Sequence, residues 1–154
     1  MKDFQNGIET KCIHSGYEPK NGEPRMIPIV QSTTFKYDTS EAMGKLFDLE
    51  DSGYFYSRLQ NPTNDYVAAK IAALEGGTAA MLTSSGQAAN FFAVFNIASA
   101  GEHVVVSSTI YGGTFNLFNV TMRKMGIDFT FVDPECSEEE LNAAFKPNTK
   151  AVFG

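Results

Sequence analysis

An α/β fold, with a mostly parallel sheet and helices on both faces, is what this sequence predicts, and three observations predict it. Helix-length and strand-length patterns alternate from about residue 64 onward, glycine-containing polar turns separate them, and two polar motifs directly follow apolar, strand-like runs. Strands joined by helix-length crossovers pair in parallel and bind ligands beyond their carboxyl ends. With 154 residues, 43% hydrophobic content and 13 Phe, the chain is long and apolar enough for a sizeable core.

Residues 1 to about 38 have weak periodicity and several Pro and Gly, and Pro28 interrupts Met26–Ser32, so this stretch reads as an extended arm. Ser40 is the expected cap of a short helix through Leu49. Val67, Ile71 and Leu74 recur at helical spacing within 64–74, and Gly76-Gly77 stops that helix. Ala79–Leu82 is a short apolar run suited to a buried strand, and helical composition resumes over 88–98, which makes Ser84–Gln87 a strand-to-helix turn. A strand follows at His103–Val106. Phe115, Phe118, Met122 and Met125 mark one face of a helix that ends at Gly126, before a strand at Ile127–Val132. Ser137 with Glu140 three residues later is a capping box for a helix through Phe145, and Lys150–Phe153 begins another strand. The expected order is β-α-β-α-β-α-β.

Composition excludes several functions. A net charge of −6 argues against a nucleic-acid or anionic-membrane surface, both of which need clustered Lys and Arg. Cys12 and Cys136 lack metal-ligand or redox spacing, Cys12 and His14 have no third ligand nearby, and His103 at a strand start reads as structural. No metal site and no disulfide are expected. The first residues, Met1–Asn6, carry no apolar signal region, and Phe91–Ala100 is too short to span a bilayer, which favours a cytoplasmic protein without a membrane partner.

Three motifs carry chemistry. In Ser84-Ser85-Gly86-Gln87, a helix start offers free N–H groups and a favourable dipole to an anion, and Gly86 allows close approach. Taken alone, the same serines could simply cap the helix, and no G-x-G-x-x-G accompanies them. Tyr111, followed by Gly112-Gly113 that leave room beside the backbone, could stack on a planar heteroaromatic ring; the plainer reading is a packed tyrosine. Arg58 offers a forked donor for a phosphate, and Tyr56 adds a hydroxyl.

The blocks Tyr56-Ser57-Arg58-Leu59-Gln60-Asn61-Pro62-Thr63, Ser84-Ser85-Gly86-Gln87-Ala88-Ala89 and Tyr111-Gly112-Gly113-Thr114-Phe115-Asn116-Leu117-Phe118, in that order and spacing, resemble the Cys/Met-metabolism family of fold-type I pyridoxal phosphate enzymes. The resemblance runs from about Ile8 to Gly154 and covers only the N-terminal part of a family member. It implies an arm and inter-subunit loop over 1–63 and the first part of a cofactor-binding large domain over 64–154. It also implies pyridoxal 5'-phosphate as cofactor and a homotetramer built from dimers. Tyr56 and Arg58 would reach the cofactor phosphate of the neighbouring subunit. Ser85, Gly86 and Gln87 would bind the phosphate in their own subunit, and Tyr111 would stack on the pyridine ring.

Gln87 and the Tyr111–Phe118 block are similar to the sulfhydrylase branch of that family, where γ-lyases usually carry methionine at 87 and methionine γ-lyases cysteine at 113. The implied reaction is replacement of acetate at Cγ of the amino acid O-acetylhomoserine by sulfide or methanethiol, giving homocysteine or methionine. Tyr111 would assist the leaving group, and Tyr56 from the partner subunit would help with protons. A γ-lyase or cystathionine γ-synthase, or a non-catalytic assembly module, are the alternatives. The family's cofactor-binding lysine has no counterpart here, since Lys150 opens a strand, so the 154-residue chain by itself is expected to be inactive.

Overall fold

The structure, a computed structural model, describes residues 7–154; residues 1–6, the start of the expected arm, lie outside the described residues. It divides into two compact units, one ending at Leu82 and the other spanning Thr83–Gly154.

In the first unit, the arm is not extended throughout: α1 (Ile8–His14) forms two turns whose last carbonyls, Cys12 O and Ile13 O, accept from Lys70 Nζ at 3.0 and 3.2 Å. Sequence reading missed α1 because it buries no side chain and so has no apolar stripe. Its anchor is α3 (Pro62–Glu75), where the Tyr17 and Tyr66 rings meet with centroids 4.8 Å apart. Helix α2 (Ser40–Phe47) is capped by Thr39, whose hydroxyl accepts from Ala42 N at 3.1 Å, so Ser40 is the first helical residue rather than the cap. Asn61 caps α3, Pro62 occupies its first position where a missing N–H costs nothing, and Gly76, with φ 68°, ends it as expected.

In the second unit, α4 (Gly86–Phe95) leads to β1 (His103–Ser107), then α5 (Gly112–Asn116) continues as a π-helix (Leu117–Met122). β2 (Asp128–Val132), α6 (Glu138–Ala144) and β3 (Thr149–Phe153) complete it. The three strands form a parallel sheet in the order β2-β1-β3, with His103 facing Asp128 on one side and Thr149 on the other. β1 is central and its Val104, Val105 and Val106 are fully buried, the continuous apolar run that a doubly covered parallel strand requires. Helix and sheet meet in a core of Val94, Ala98, Val104, Phe118, Met122 and Phe129, where Phe118 stacks on Phe129 at 5.1 Å and meets Phe153 edge-on.

Two expectations are corrected. Ala79–Leu82 forms no ladder among the described residues, and Met81 and Leu82 are exposed, because an apolar run becomes a strand only where a neighbouring strand takes up its backbone hydrogen bonds. Met125 is 43% exposed although Phe118 and Met122 are buried, because the wider π turn advances each residue by less and rotates Met125 off the shared face. The capping box at Ser137 and Glu140 forms as predicted.

Candidate functional site

The amino end of α4 lies at the carboxyl edge of the sheet, because α4 returns its chain to the start of β1. Ser85 is extended, φ −163° and ψ 160°, and its hydroxyl accepts from Ala88 N at 3.1 Å. The plainer reading, a capping serine, is therefore part of the truth. Yet the cap satisfies only one of the donors of the first turn. Ala89 N closes on Ser85 O at 3.1 Å, whereas the N–H groups of Gly86 and Gln87 have no acceptor among the described residues. A Cβ placed on Gly86 would meet nothing within 4 Å, so the space before these two N–H groups is open. That cradle, facing the positive end of a ten-residue helix, fits an oxyanion.

Tyr111 stands at the start of α5, on the loop that leaves the carboxyl end of β1. It is not a packed core tyrosine: 77% of it is exposed. Its ring lies over Gly113, where a Cβ would come within 2.6 Å of Tyr111 Cε1. Glycine at 113 is thus what lets the ring take this position. Sequence reasoning missed the polar side chains between the cradle and the ring. Thr114, 2% exposed, donates its hydroxyl proton to Gln87 Oε1 at 2.7 Å and accepts from Asn90 Nδ2 at 3.0 Å. A threonine in the first turn of a helix is too common to have signalled this role.

Tyr56 and Arg58 lie in the first unit, where the Arg58 guanidinium carbon stands 5.1 Å from the Tyr56 ring centroid. They line a shallow groove with Ser32, Thr33, Ser57 and Asn61. The loop is stitched to the arm by an antiparallel bridge between Thr34 and Tyr56, by Ser57 N donating to Thr33 O at 2.9 Å, and by the Ser57 hydroxyl donating to Ser32 O. Asn61 does more: buried, it caps Thr63 N at 2.9 Å through Oδ1, while Nδ2 donates to Val30 O at 3.1 Å and to Ser57 Oγ at 2.9 Å. Thr63 adds a bond to Pro28 O at 3.0 Å and accepts from Val30 N at 2.9 Å. The Asn-Pro-Thr part of the motif therefore builds the loop that presents Arg58.

At the opposite, amino edge of the sheet, His103 is fully buried and spans all three strands, Nδ1 to Thr149 Oγ1 and Nε2 to Thr130 Oγ1, both at 2.8 Å. Burial first, then the Lys146 ammonium, push its pKa down, with Asp128 opposing and Arg123 adding to the fall. Lys150 is at this edge too, paired with Glu102 at 3.1 Å, which separates it from Tyr111 by the length of the strands. Among the described residues, no group of three or more His, Cys, Asp or Glu is gathered to hold a metal, and no helix is long and apolar enough to cross a membrane.

Residues 9–154 match the family model described as Cys/Met metabolism PLP-dependent enzyme. The chain belongs to that family. Among curated relatives it is 47% identical over 151 residues to the O-acetyl-L-homoserine sulfhydrylase of Corynebacterium glutamicum, covering 97% of this chain and 35% of that protein. It is 42% identical over 147 residues to the L-methionine gamma-lyase of Treponema denticola, covering 96% of this chain and 36% of the relative. A solved structure from Campylobacter jejuni that carries N'-pyridoxyl-lysine-5'-monophosphate superposes with a TM-score of 0.87 at 34% identity, over 97% of this chain and 36% of that one. The chain thus spans about a third of the length of the relatives it matches, and its fold is that of the N-terminal part of fold-type I pyridoxal phosphate enzymes.

Proposed function

We propose that the whole protein replaces the acetate of O-acetylhomoserine with sulfide or methanethiol, and that these residues supply the phosphate and ring face of its pyridoxal phosphate site. The observation that carries this reading is the open cradle at Gly86 and Gln87 beside an exposed Tyr111, on one edge of the sheet. When bound, the cofactor supplies an electron sink for carbanion chemistry on the amino acid. The N–H groups of Gly86 and Gln87, with the Ser85 hydroxyl proton, bind its phosphate, and Tyr111 stacks on its ring and excludes water from that face. The Tyr111 hydroxyl gives a proton to the departing acyl oxygen at Cγ, and Tyr56 is the second group handling protons.

Arg58 and Tyr56 serve the neighbouring subunit's phosphate in a cytoplasmic homotetramer, a dimer of dimers, with residues 1–63 as arm and inter-subunit loop and 64–154 opening the cofactor domain. Their exposed groove, turned outward on its own unit, supports this reading. The likeness to an L-methionine gamma-lyase favours elimination as the second reading. An assay of the whole protein on O-acetylhomoserine, with and without sulfide, separates them. Homocysteine formed only with sulfide is expected; a 2-oxo acid and ammonia formed equally well without sulfide would establish the lyase instead.

A further inference from the structure

Gln87 contributes more than its backbone. Its carboxamide oxygen is turned toward the buried Thr114 hydroxyl at 2.7 Å, and Asn90 Nδ2 lies 3.0 Å from that hydroxyl and 3.5 Å from the same carboxamide oxygen. With the Asn90 amide donating to Thr114 Oγ1, the single hydroxyl proton of Thr114 is directed to Gln87 Oε1. The carboxamide is therefore held in one orientation, and its nitrogen faces the other way. The position of a Cβ on Gly113 lies 3.3 Å from Gln87 Nε2 and 2.6 Å from Tyr111 Cε1, so the amide nitrogen and the tyrosine ring edge both border the space that the missing side chain of Gly113 leaves open.

We propose that Thr114 and Asn90 are positioning residues: by locking the Gln87 carboxamide against the edge of the Tyr111 ring, they fix the ring relative to the phosphate cradle. The inference rests on the cofactor reading of that cradle and deepens it. Three features support the assignment. Thr114 is 98% removed from solvent, so its hydroxyl has no water to turn to and the bond to Gln87 is costly to break. The network ties the helix that begins at Gly86 to the one that Tyr111 caps through side chains alone. Tyr111 itself is exposed over most of its surface and stands over a glycine.

The test uses the full-length protein without its cofactor and its Thr114→Val and Thr114→Ser variants, the first nearly isosteric without the hydroxyl and the second keeping it. Without ligand, nuclear Overhauser contacts between the Gln87 side-chain amide protons and the Tyr111 ring are expected in the unaltered chain and in Thr114→Ser, and are expected to be lost in Thr114→Val. Dissociation constants are then measured by equilibrium dialysis for pyridoxine 5'-phosphate, which has no aldehyde to react with surface lysines, and for inorganic phosphate. Thr114→Val is expected to weaken pyridoxine 5'-phosphate by roughly threefold to tenfold, the range of one lost hydrogen bond, and to leave inorganic phosphate unchanged. A merely structural threonine would move both ligands together, and that result overturns the proposal. So does the absence of the amide-to-ring contact in the unaltered chain, a result that needs no variant to fold. Failure of the unaltered chain to bind pyridoxine 5'-phosphate would count against the cofactor reading alone, because the ligand-free contacts decide the network by themselves.

Discussion

At the residue scale, the proposed site divides into residues that would face a ligand and residues that hold those in place. Arg58, Gly86, Gln87 and Tyr111 are on the first side; Asn61, Thr63, Asn90, Gly113 and Thr114 are on the second. Through its side chain Asn61 has three partners, capping α3 with one end of its amide and stitching the arm to the loop with the other. Replacing it with Ala is expected to destabilise the chain by about 1–3 kcal/mol, from a lost cap and stranded Val30 and Ser57 partners. Urea unfolding measures this, with the exposed neighbour Asn64→Ala as control; equal midpoints for the two variants would refute the stitching role. The residues proposed to face the ligand stand out in the sequence because donor, glycine and aromatic types cluster at motif spacing. The supporting ones do not, because a buried Asn or Thr looks like any polar residue until its partners, 31 positions away for Val30 and 27 for Gln87, are known.

At the element scale, the sheet separates two kinds of chemistry. Its carboxyl edge holds the cradle and Tyr111, and its amino edge is locked by His103 between Thr130 and Thr149. Because folding depresses the His103 pKa, the neutral imidazole stabilises the fold above the ordinary value of 6.5, and this contribution is lost as pH falls through the folded value. Asp128, held below the usual carboxylate range by Lys146, and Glu140, held down by the Ser137 backbone, lose their contributions only at lower pH. Melting temperature should therefore begin to fall just below pH 6.5, and NMR should find His103 still mostly neutral there. A half-charged His103 at pH 6.5 would contradict the lowered pKa. Among the elements, the strands, α3 and the Ser137 capping box were readable from period and caps. The π segment was not, since the spacing of Phe118 and Met122 suits either kind of turn, and the strand expected at Ala79–Leu82 failed because apolar character alone does not provide a ladder partner.

At the scale of the whole molecule, the proposed function needs the two units to serve different active sites, with Arg58 acting on the neighbour and Tyr111 at home. In the full-length protein, Arg58→Ala and Tyr111→Ala are each expected to lower kcat/KM by about tenfold or more, from lost charge-assisted bonds and lost ring contact. Mixing the two variants under exchange conditions should restore part of the activity, because some sites then receive neither substitution. No recovery in verified hybrids would place both residues in one subunit's site. The chain also exposes Phe92, Phe95 and Val152, and its relatives are about three times longer. The most direct test of the phosphate cradle compares pyridoxine 5'-phosphate with pyridoxine on the full-length protein without its cofactor and on its Gly86→Pro variant. That substitution suits the first position of a helix and the extended Ser85 before it, but removes one cradle N–H and fills the open space. The unaltered chain should bind the phosphorylated form about tenfold or more tightly than pyridoxine, and Gly86→Pro should erase that difference. Equal binding of the two ligands, or a preference that survives Gly86→Pro, would contradict a phosphate cradle at the start of α4.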